Sequence, residues 1–300
     1  MFEKRTDLAL EAQEMHGNDS GITVSTEKRD GIDITYASVS QGEGERISGK
    51  AAGEYVTLEV GKAWMSDRLY FEKVSYLLAD ELKKLLPKGD GCVLVAGLGN
   101  IEITPDSLGP RTVKELLVTR HIEDIDRELF EGAGFASVAA MSTGVLGQTG
   151  IESAEILKSV CAAIKPKCVI IIESLASRRL NRLATTVQMS NVGISPGSGV
   201  SNKRVTVGEQ TLGVPVVSLG VPMVVDAATL AYDLLEEHKG SADEEFLKVI
   251  ERVLAGNGRD MFVTPKENDV IAKHSSRLLA SAINVALHGM NLKEISEFVS

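Results

Sequence analysis

The chain has few of the residues on which common hydrolases depend. It holds three cysteines, Cys92, Cys161 and Cys168, whose spacing fits neither a disulfide framework nor a zinc site. All three lie in apolar stretches, so we expect small core side chains that stay reduced. The five histidines are scattered and form no HExxH pattern, and no GxSxG elbow is present. The sequence therefore offers no familiar zinc, serine or cysteine centre, and no metal or other cofactor is expected.

Long apolar runs and an excess of basic residues are also absent. No stretch approaches the roughly 18 consecutive apolar residues that a membrane-spanning helix requires. The first residues are not followed by an apolar signal region, so we expect a cytoplasmic protein. The formal net charge of −10 disfavours a general binder of phosphate backbones. Neither a membrane nor a nucleic acid is an expected partner.

What is present indicates an α/β fold. Apolar runs over residues 92–96, 169–172 and 214–219 are typical of buried parallel strands, and residues 136–141 form a further predicted strand. Amphipathic helices are predicted over 70–86 and 151–164, and a last helix from a Thr-Pro-Lys-Glu start at 264–267 to about 288. Alternating strands and helices predict a mostly parallel central sheet flanked by helices.

The domain organisation is expected to be simple. Residues 1–300 are predicted to form a single domain, since the composition is that of an ordinary globular protein. Residues 1–50 are polar and contain several glycines, with a plausible strand at 32–39, and a second strand at 55–60 follows within the region 8–69. We interpret that region as a peripheral N-terminal arm outside the core.

Functional groups of parallel α/β sheets gather beyond the carboxyl ends of the strands. Three loops meet this description: residues 97–110, residues 173–174 and the glycine-rich stretch 142–150. The first opens like a dinucleotide-binding GxGxxG pattern, but Glu102 occupies the place of the third glycine. A carboxylate there would repel a pyrophosphate, so this loop is not expected to bind a nucleotide.

Two acids in these loops suggest acid–base chemistry. If their strands are adjacent, Asp106 and Glu173 are close enough to share a proton, because two neighbouring carboxylates do not both ionise cheaply. One can then deprotonate a water while the other protonates a carbonyl oxygen. Structural alternatives remain for both residues. Asp106 would otherwise cap the helix that follows it, and Glu173 would otherwise pair with Arg178 or Arg179.

The quoted loops, with several other segments, resemble the spore germination protease family, which degrades small acid-soluble spore proteins when an endospore germinates. The resemblance runs from RTDLA at 5–9 to MFVTPKE at 261–267 and so covers most of the chain. Its specific segments are GLGN at 97–100, TPDSLGP at 104–110, LVTRH at 117–121, GVLGQTGIE at 144–152, GISPGSG at 193–199, NKR at 202–204 and LGVP at 212–215.

The resemblance implies a fold similar to that of the hydrogenase-maturation endopeptidases and a zymogen that assembles into a homotetramer, located in the forespore or spore core. One family carboxylate matches Asp106. The other is an aspartate whose place is held here by Glu173. Self-processing in the family corresponds to the bond between Asp7 and Leu8, which makes residues 1–7 a short prosequence. The implied substrates are small acid-soluble spore proteins, cleaved after an acidic residue.

Glycine-rich loops are hypothesised to supply backbone donors to the developing oxyanion or to the substrate. The residues in question are Gly97, Gly99, Asn100, Gly144, Gly147, Thr149, Gly197, Ser198 and Gly199.

Two alternatives stay open. The first is a metal-dependent peptidase of the maturation type, with Asp106, Glu173 and His121 as ligands. The second is a protein that binds spore proteins without hydrolysing them, because Glu173 is one carbon longer than the family's aspartate.

Overall fold

A computed structural model describes residues 5–17, 21–194, 205–239 and 261–299, without the side chains of 235–239. One nine-stranded sheet organises these residues, in the order β1-β2-β3-β7-β8-β6-β4-β5, with β9 paired to β8. The strands are β1 Ile22–Arg29, β2 Ile32–Val39, β3 Gly53–Glu59, β4 Val93–Leu98, β5 Val138–Gly144, β6 Cys168–Ser177, β7 Thr186–Ser190, β8 Val216–Asp226 and β9 Phe262–Val263.

The centre of the sheet is parallel, as the apolar runs predict. β5, β4, β6 and β8 pair in parallel, with β4 between β5 and β6. The residues of β4, β6 and β8 are buried on both faces, which explains why these strands read as continuous apolar runs rather than as alternating patterns, whereas β5 at the end of the sheet is mostly half-buried. Pro215 directly precedes β8, where its missing N–H costs no ladder hydrogen bond.

The N-terminal region requires a correction. It was expected to be a peripheral arm, but β1, β2 and β3 continue the central sheet through the antiparallel pairing of β3 with β7. Ile34 and Leu58 from this region are completely buried and belong to the same apolar cluster as the parallel strands. Polar residues on the other face of these strands lower the average hydrophobicity of the region, and this gave it the character of an arm.

Helices cover both faces of the sheet. On one face, α3 and α11 pack together over the cluster that contains Val95 and Ile170. On the other, α8 and α9 cover Leu94, Ile171 and Val216, while α1 covers the antiparallel strands. The helices are α1 Ala9–His16, α2 Glu43–Ser48, α3 Arg68–Leu85, α4 Leu108–Lys114, α5 Arg120–Ile125, α6 Arg127–Gly132, α7 Leu146–Thr149, α8 Ser153–Ile164, α9 Glu209–Leu212, α10 Ala227–Lys239, α11 Asn268–His288 and α12 Leu292–Val299.

The last long helix begins later than predicted. The Thr-Pro-Lys-Glu segment was expected to form its first turn, but α11 starts at Asn268 and its N-cap is Glu267. Phe262 and Val263 pair with the end of β8, so the chain needs a turn before a helix can start. The predicted end at His288 is confirmed.

The cysteines behave as small interior residues. Cys161 and Cys168 are buried, Cys92 is half-buried, and all three are free thiols. Burial raises the pKa of Cys168 to about 11, so this thiol is not an activated nucleophile. None of the helices in the described ranges is long and apolar enough to cross a membrane.

His288 ties the end of α11 to the neighbouring loops and should make stability depend on pH. Its Nδ1 accepts from the N–H of Ala136, and its Nε2 lies 3.1 Å from the carbonyl of Leu117. Burial lowers the pKa of His288. A depressed pKa means that the unfolded state binds the proton more readily, so stability falls as pH drops through and below the ordinary value of about 6.5.

We therefore expect a smaller free energy of unfolding in urea at about pH 5.5 than at about pH 7.5, and a weaker difference in His288→Gln. His16→Gln is the control, since His16 is exposed at the end of α1. An unchanged pH dependence in His288→Gln would contradict this assignment.

Candidate active site

Asp106 lies in a short turn beside the end of β4. The turn Thr104–Asp106 is a single 3₁₀ turn with proline in its first positions, and it packs against β6 and β8. Oδ2 of Asp106 accepts a 2.8 Å hydrogen bond from the backbone N–H of Asn100. The carboxylate thus bonds back to its own loop, whereas α4 begins at Leu108 without a side-chain cap. The alternative prediction that Asp106 caps the next helix is wrong.

Two glycines of this loop are explained by close backbone contacts. A Cβ on Gly97 would lie 2.3 Å from the carbonyl oxygen of Gly109, at the start of α4. A Cβ on Gly99 would lie 2.1 Å from the carbonyl oxygen of Asp106, and the φ of Gly99 is +111°. Both positions therefore exclude side chains, which allows α4 and the Asp106 turn to approach β4.

Gly99→Ala is expected to displace the Asp106 turn and to destabilise the fold by about 2 kcal/mol or more, because strain and overlap act together. Cleavage activity should fall with it. Gly132→Ala is the matched control, since a Cβ at Gly132, the last residue of α6, meets no atom within 4 Å. Urea unfolding and peptide hydrolysis measured on both variants check this. Equal stability of the two variants would show that the turn moves freely.

Glu173 lies inside a strand rather than at the end of one. β4 and β6 are adjacent, as the carboxylate hypothesis requires, and their last pair is Gly97 with Ile172. Glu173 is the next residue of β6, but β6 continues to Ser177 because β8 extends beside it. The predicted end at Ile172 is therefore wrong. The polar pair Glu173 and Ser174 marks the point where β4 stops, not where β6 stops.

Both carboxylates consequently lie at the same edge of the sheet. The carboxylate of Asp106 bonds to the residue two positions beyond β4, and Glu173 follows the last residue that pairs with β4. Glu173 is half-buried, and its cross-strand neighbour on β8 is Gly220, which has no side chain. Arg178 forms a two-pronged pair with Asp233, and Arg179 lies 3.4 Å from Glu14.

The glycine-rich loop 142–150 reaches this edge through Gln148. Its Nε2 donates a 2.7 Å hydrogen bond to Oδ1 of Asn100, the residue whose backbone N–H binds Asp106. Gly144 ends β5 in the left-handed region, with a φ of +68°, and the short helix α7 follows. The hydroxyl of Thr149 donates within its own turn, to the carbonyls of Val145 and Ile151.

Other predicted site residues have different outcomes. Gly197, Ser198 and Gly199 lie outside the described residues. His121 is exposed near the start of α5. Among the described residues, no group of three or more His, Cys, Asp or Glu side chains is arranged to hold a metal ion. The alternative with Asp106, Glu173 and His121 as ligands therefore gains no support from their placement.

The segment around Asp7 and Leu8 is held firmly against the sheet. The N–H of Asp7 donates to the carbonyl of Ala176, and the N–H of Ala176 donates to Oδ2 of Asp7, each at 2.8 Å. The side chain of Leu8 is completely buried. Ala176 lies three residues beyond Glu173 on β6. The bond predicted for self-processing is therefore close to the acidic edge of the sheet.

Two side chains that the sequence analysis did not select complete this arrangement. The amide of Gln188 binds the chain on both sides of the bond, donating to the carbonyl of Asp7 at 3.1 Å and accepting from the N–H of Ala9 at 2.8 Å. Nζ of Lys50 donates to the carbonyl of Thr6 at 2.7 Å. No local pattern marks either residue, because each contact joins distant parts of the chain.

Comparison with known proteins places these observations in a family. The model of the germination protease family matches residues 2–241. A germination protease of Caldanaerobacter subterraneus subsp. tengcongensis is 43% identical, with 98% of each chain covered. One of Clostridium acetobutylicum is 41% identical over 99% of each chain, and one of Bacillus licheniformis is 36% identical over 95% of this chain and 93% of its own.

A solved structure, the [NiFe] hydrogenase maturation protease HycI from Thermococcus kodakarensis KOD1, is also similar. It covers 69% of this chain and 98% of its own, at 16% identity. Its TM-score of 0.38 is too low to support an argument about fold or function.

The family and its relatives define a peptidase, a hydrolase that acts on peptide bonds. The chain belongs to the germination protease family.

Proposed function

We propose that this peptidase initiates the degradation of small acid-soluble spore proteins during germination and cleaves after an acidic residue, with Asp106 and Glu173 as its acid–base pair and no cofactor. The family supports the substrate class. The observation that carries the mechanism is the placement of both carboxylates at one edge of the sheet, where β4 ends beside β6. Such an edge is where α/β folds collect reacting groups.

The proposed hydrolysis needs one ionised and one protonated carboxyl group. The ionised group takes a proton from a water, whose oxygen forms a bond to the carbonyl carbon of the peptide. The protonated group gives its proton to the carbonyl oxygen. The tetrahedral intermediate then collapses, the C–N bond breaks, and the amine leaves with a proton from the pair. The two carboxyl groups titrate as a unit, so the base is not assigned to either one.

The glycine-rich loops supply donors in this proposal. Residues 144–150 lie next to Asn100 through Gln148, and Asn100 in turn binds Asp106. These contacts support the proposal that a backbone N–H of this loop stabilises the negative charge that develops on the reacting carbonyl oxygen.

The further elements of the proposal are a self-processing zymogen, cleaved between Asp7 and Leu8, and a homotetramer in the spore core. The contacts of Asp7 with Ala176 support the first, because they hold this bond near Glu173. The second follows from the family resemblance alone.

A peptide that contains Thr-Glu followed by an apolar residue and alanine tests the function. It is incubated with the full chain, and the products are identified by mass spectrometry. A twin peptide with glutamine in place of glutamate controls for sequence preference. We expect cleavage after the glutamate and little cleavage of the twin. Because an unprocessed zymogen is expected to be inactive, the peptide is also tested with a chain that begins at Leu8. An intact glutamate peptide in that sample would refute the proposal.

A second candidate function follows from Glu173 itself. A carboxylate displaced by one methylene, roughly 1.5 Å, reduces catalysis strongly when geometry is strict. The chain would then bind spore proteins without cleaving them. This candidate predicts tight binding of the glutamate peptide with no product.

Glu173→Asp separates the two functions. In a slow enzyme, the shorter carboxylate restores the geometry of the family, and we expect kcat to rise by up to about 10²-fold with KM nearly unchanged. Glu155→Asp, at an exposed position of α8, is the control. A lower kcat in Glu173→Asp would show instead that the site is built around the longer side chain.

A further inference from the structure

The N-terminal segment of this chain is seated by groups that suit an acidic residue. Asp7 exchanges two hydrogen bonds with Ala176: its N–H donates to the carbonyl, and its carboxylate accepts from the N–H. The second of these bonds is possible only for a residue with a side-chain acceptor of this length. The position that Asp7 occupies therefore selects for an acceptor side chain.

A positive charge lies at the same position. Nζ of Lys50 donates to the carbonyl of Thr6, one residue before Asp7. Burial lowers the pKa of Lys50, and the nearby carboxylates of Asp7 and Glu11 oppose that shift. A charged partner strengthens the hold on a carboxylate but adds little for an amide. A cation beside this position can therefore distinguish an acid from its amide, which the backbone N–H of Ala176 does not.

The bond that follows Asp7 is fixed on both sides by Gln188. Its amide donates to the carbonyl of Asp7 and accepts from the N–H of Ala9. Gln188 pairs with Gly220 on β8, and Gly220 pairs with Glu173 on β6. The three residues form one row across the sheet, so Gln188 and Glu173 lie two strand spacings apart, about 10 Å between Cα atoms.

We propose that Ala176, Lys50 and Gln188 form the subsite that recognises the acidic residue before the cleaved bond, and that Asp7 fills this subsite until residues 1–7 are removed. The inference rests on the proposed function for the identity of the cleaved bond. Lys50 determines the preference for an acid, and Gln188 positions the carbonyl that is attacked. In this arrangement the chain's own N-terminal segment and the substrate compete for the same groups.

An equilibrium binding experiment tests the subsite without relying on catalysis. The full chain carries Arg5→Ala and Asp7→Ala, which remove the ion pair of Arg5 with Asp226 and the carboxylate that binds Ala176. Fluorescent peptides with the sequence of residues 4–13, carrying either aspartate or asparagine at the Asp7 position, are titrated by anisotropy. Mass spectrometry of the same samples reports cleavage separately.

We expect the aspartate peptide to bind at least about 10-fold more tightly than the asparagine peptide, as is typical of a charge-assisted hydrogen bond. Adding Lys50→Met should reduce this ratio to about 2-fold or less, whereas Lys50→Arg should largely keep it. Adding Gln188→Ala should weaken both peptides equally. Lys73→Met, which removes a cation that bonds to Asp30 instead, should leave the ratio unchanged.

The outcomes separate the two proposals. An acid preference that survives Lys50→Met, or no binding of either peptide, would overturn the subsite. An acid preference that Lys50→Met abolishes, without any cleavage, would support the subsite and count against the peptidase mechanism. Cleavage of the aspartate peptide, with an acid preference that Lys50→Met leaves unchanged, would support the peptidase mechanism and count against the subsite.

Discussion

Asp106→Asn should lower kcat/KM for cleavage after an acidic residue by about 10³-fold or more, because an amide neither accepts nor releases the proton that the reaction moves. The substitution keeps an oxygen that can accept from the N–H of Asn100, so the turn should stay in place. The loss should therefore appear in kcat rather than in KM. Steady-state kinetics on the glutamate peptide, with urea unfolding as a check on stability, measure both effects.

Asp80→Asn provides the control for the loss of one negative charge, since Asp80 is exposed on α3 and distant in sequence from the site. Its activity should match that of the unmodified chain. Asp106→Asn that retains more than about a tenth of the activity would show that Asp106 transfers no proton in the rate-limiting step.

Glu11→Gln should reduce the free energy of unfolding by about 3 kcal/mol, the lower end of the range for a broken buried ion pair. Glu11 is completely buried, and its carboxylate accepts from the backbone N–H groups of Arg178 and Arg179 at 2.6 and 3.0 Å. A glutamine would turn an NH₂ group toward one of these donors. Arg182, which lies 3.4 Å from Glu11, would keep Glu14 as a partner.

Urea unfolding of Glu11→Gln beside Glu297→Gln measures this effect. Glu297 is exposed on α12, where the same change should alter stability by less than about 0.5 kcal/mol. A loss below about 1 kcal/mol for Glu11→Gln would mean that α1 is held by its apolar contacts alone.

The parallel half of the sheet could be predicted because burial on both faces leaves a plain signal. The runs at 92–96 and 169–172 contain almost nothing except aliphatic residues, and the structure places them in β4 and β6. β1 and β7 left no such signal. β1 is largely exposed, and β7 is buried but carries threonine, glutamine and serine on alternate positions. Such strands are defined by their neighbours, which local composition does not reveal.

The candidate site, like the sheet, could be predicted from the sequence only in part. Asp106 could be selected because it follows a buried strand in a loop rich in glycine and proline. Its bond to Asn100 could not, since a 3₁₀ turn that folds back on its own loop depends on the packing of α4. Lys50 and Gln188 were missed because their contacts with residues 6–9 join segments 44 or more positions apart. Contacts between such distant segments depend on the fold as a whole, and no short sequence motif indicates them.

The glycines at the edge of the sheet also limit how this site can change over evolutionary time. Gly97, Gly99 and Gly109 admit no side chain, since each would bring a Cβ within 2.4 Å of a backbone atom. The position of Asp106 is therefore fixed by the course of the backbone, and substitutions at these glycines are not expected to shift it by small steps. Glu173 pairs with Gly220 within the regular strand β6, where aspartate and glutamate fit the same backbone. The proposed pair thus joins one acid in a turn that three close backbone contacts hold in place and one acid in an ordinary strand.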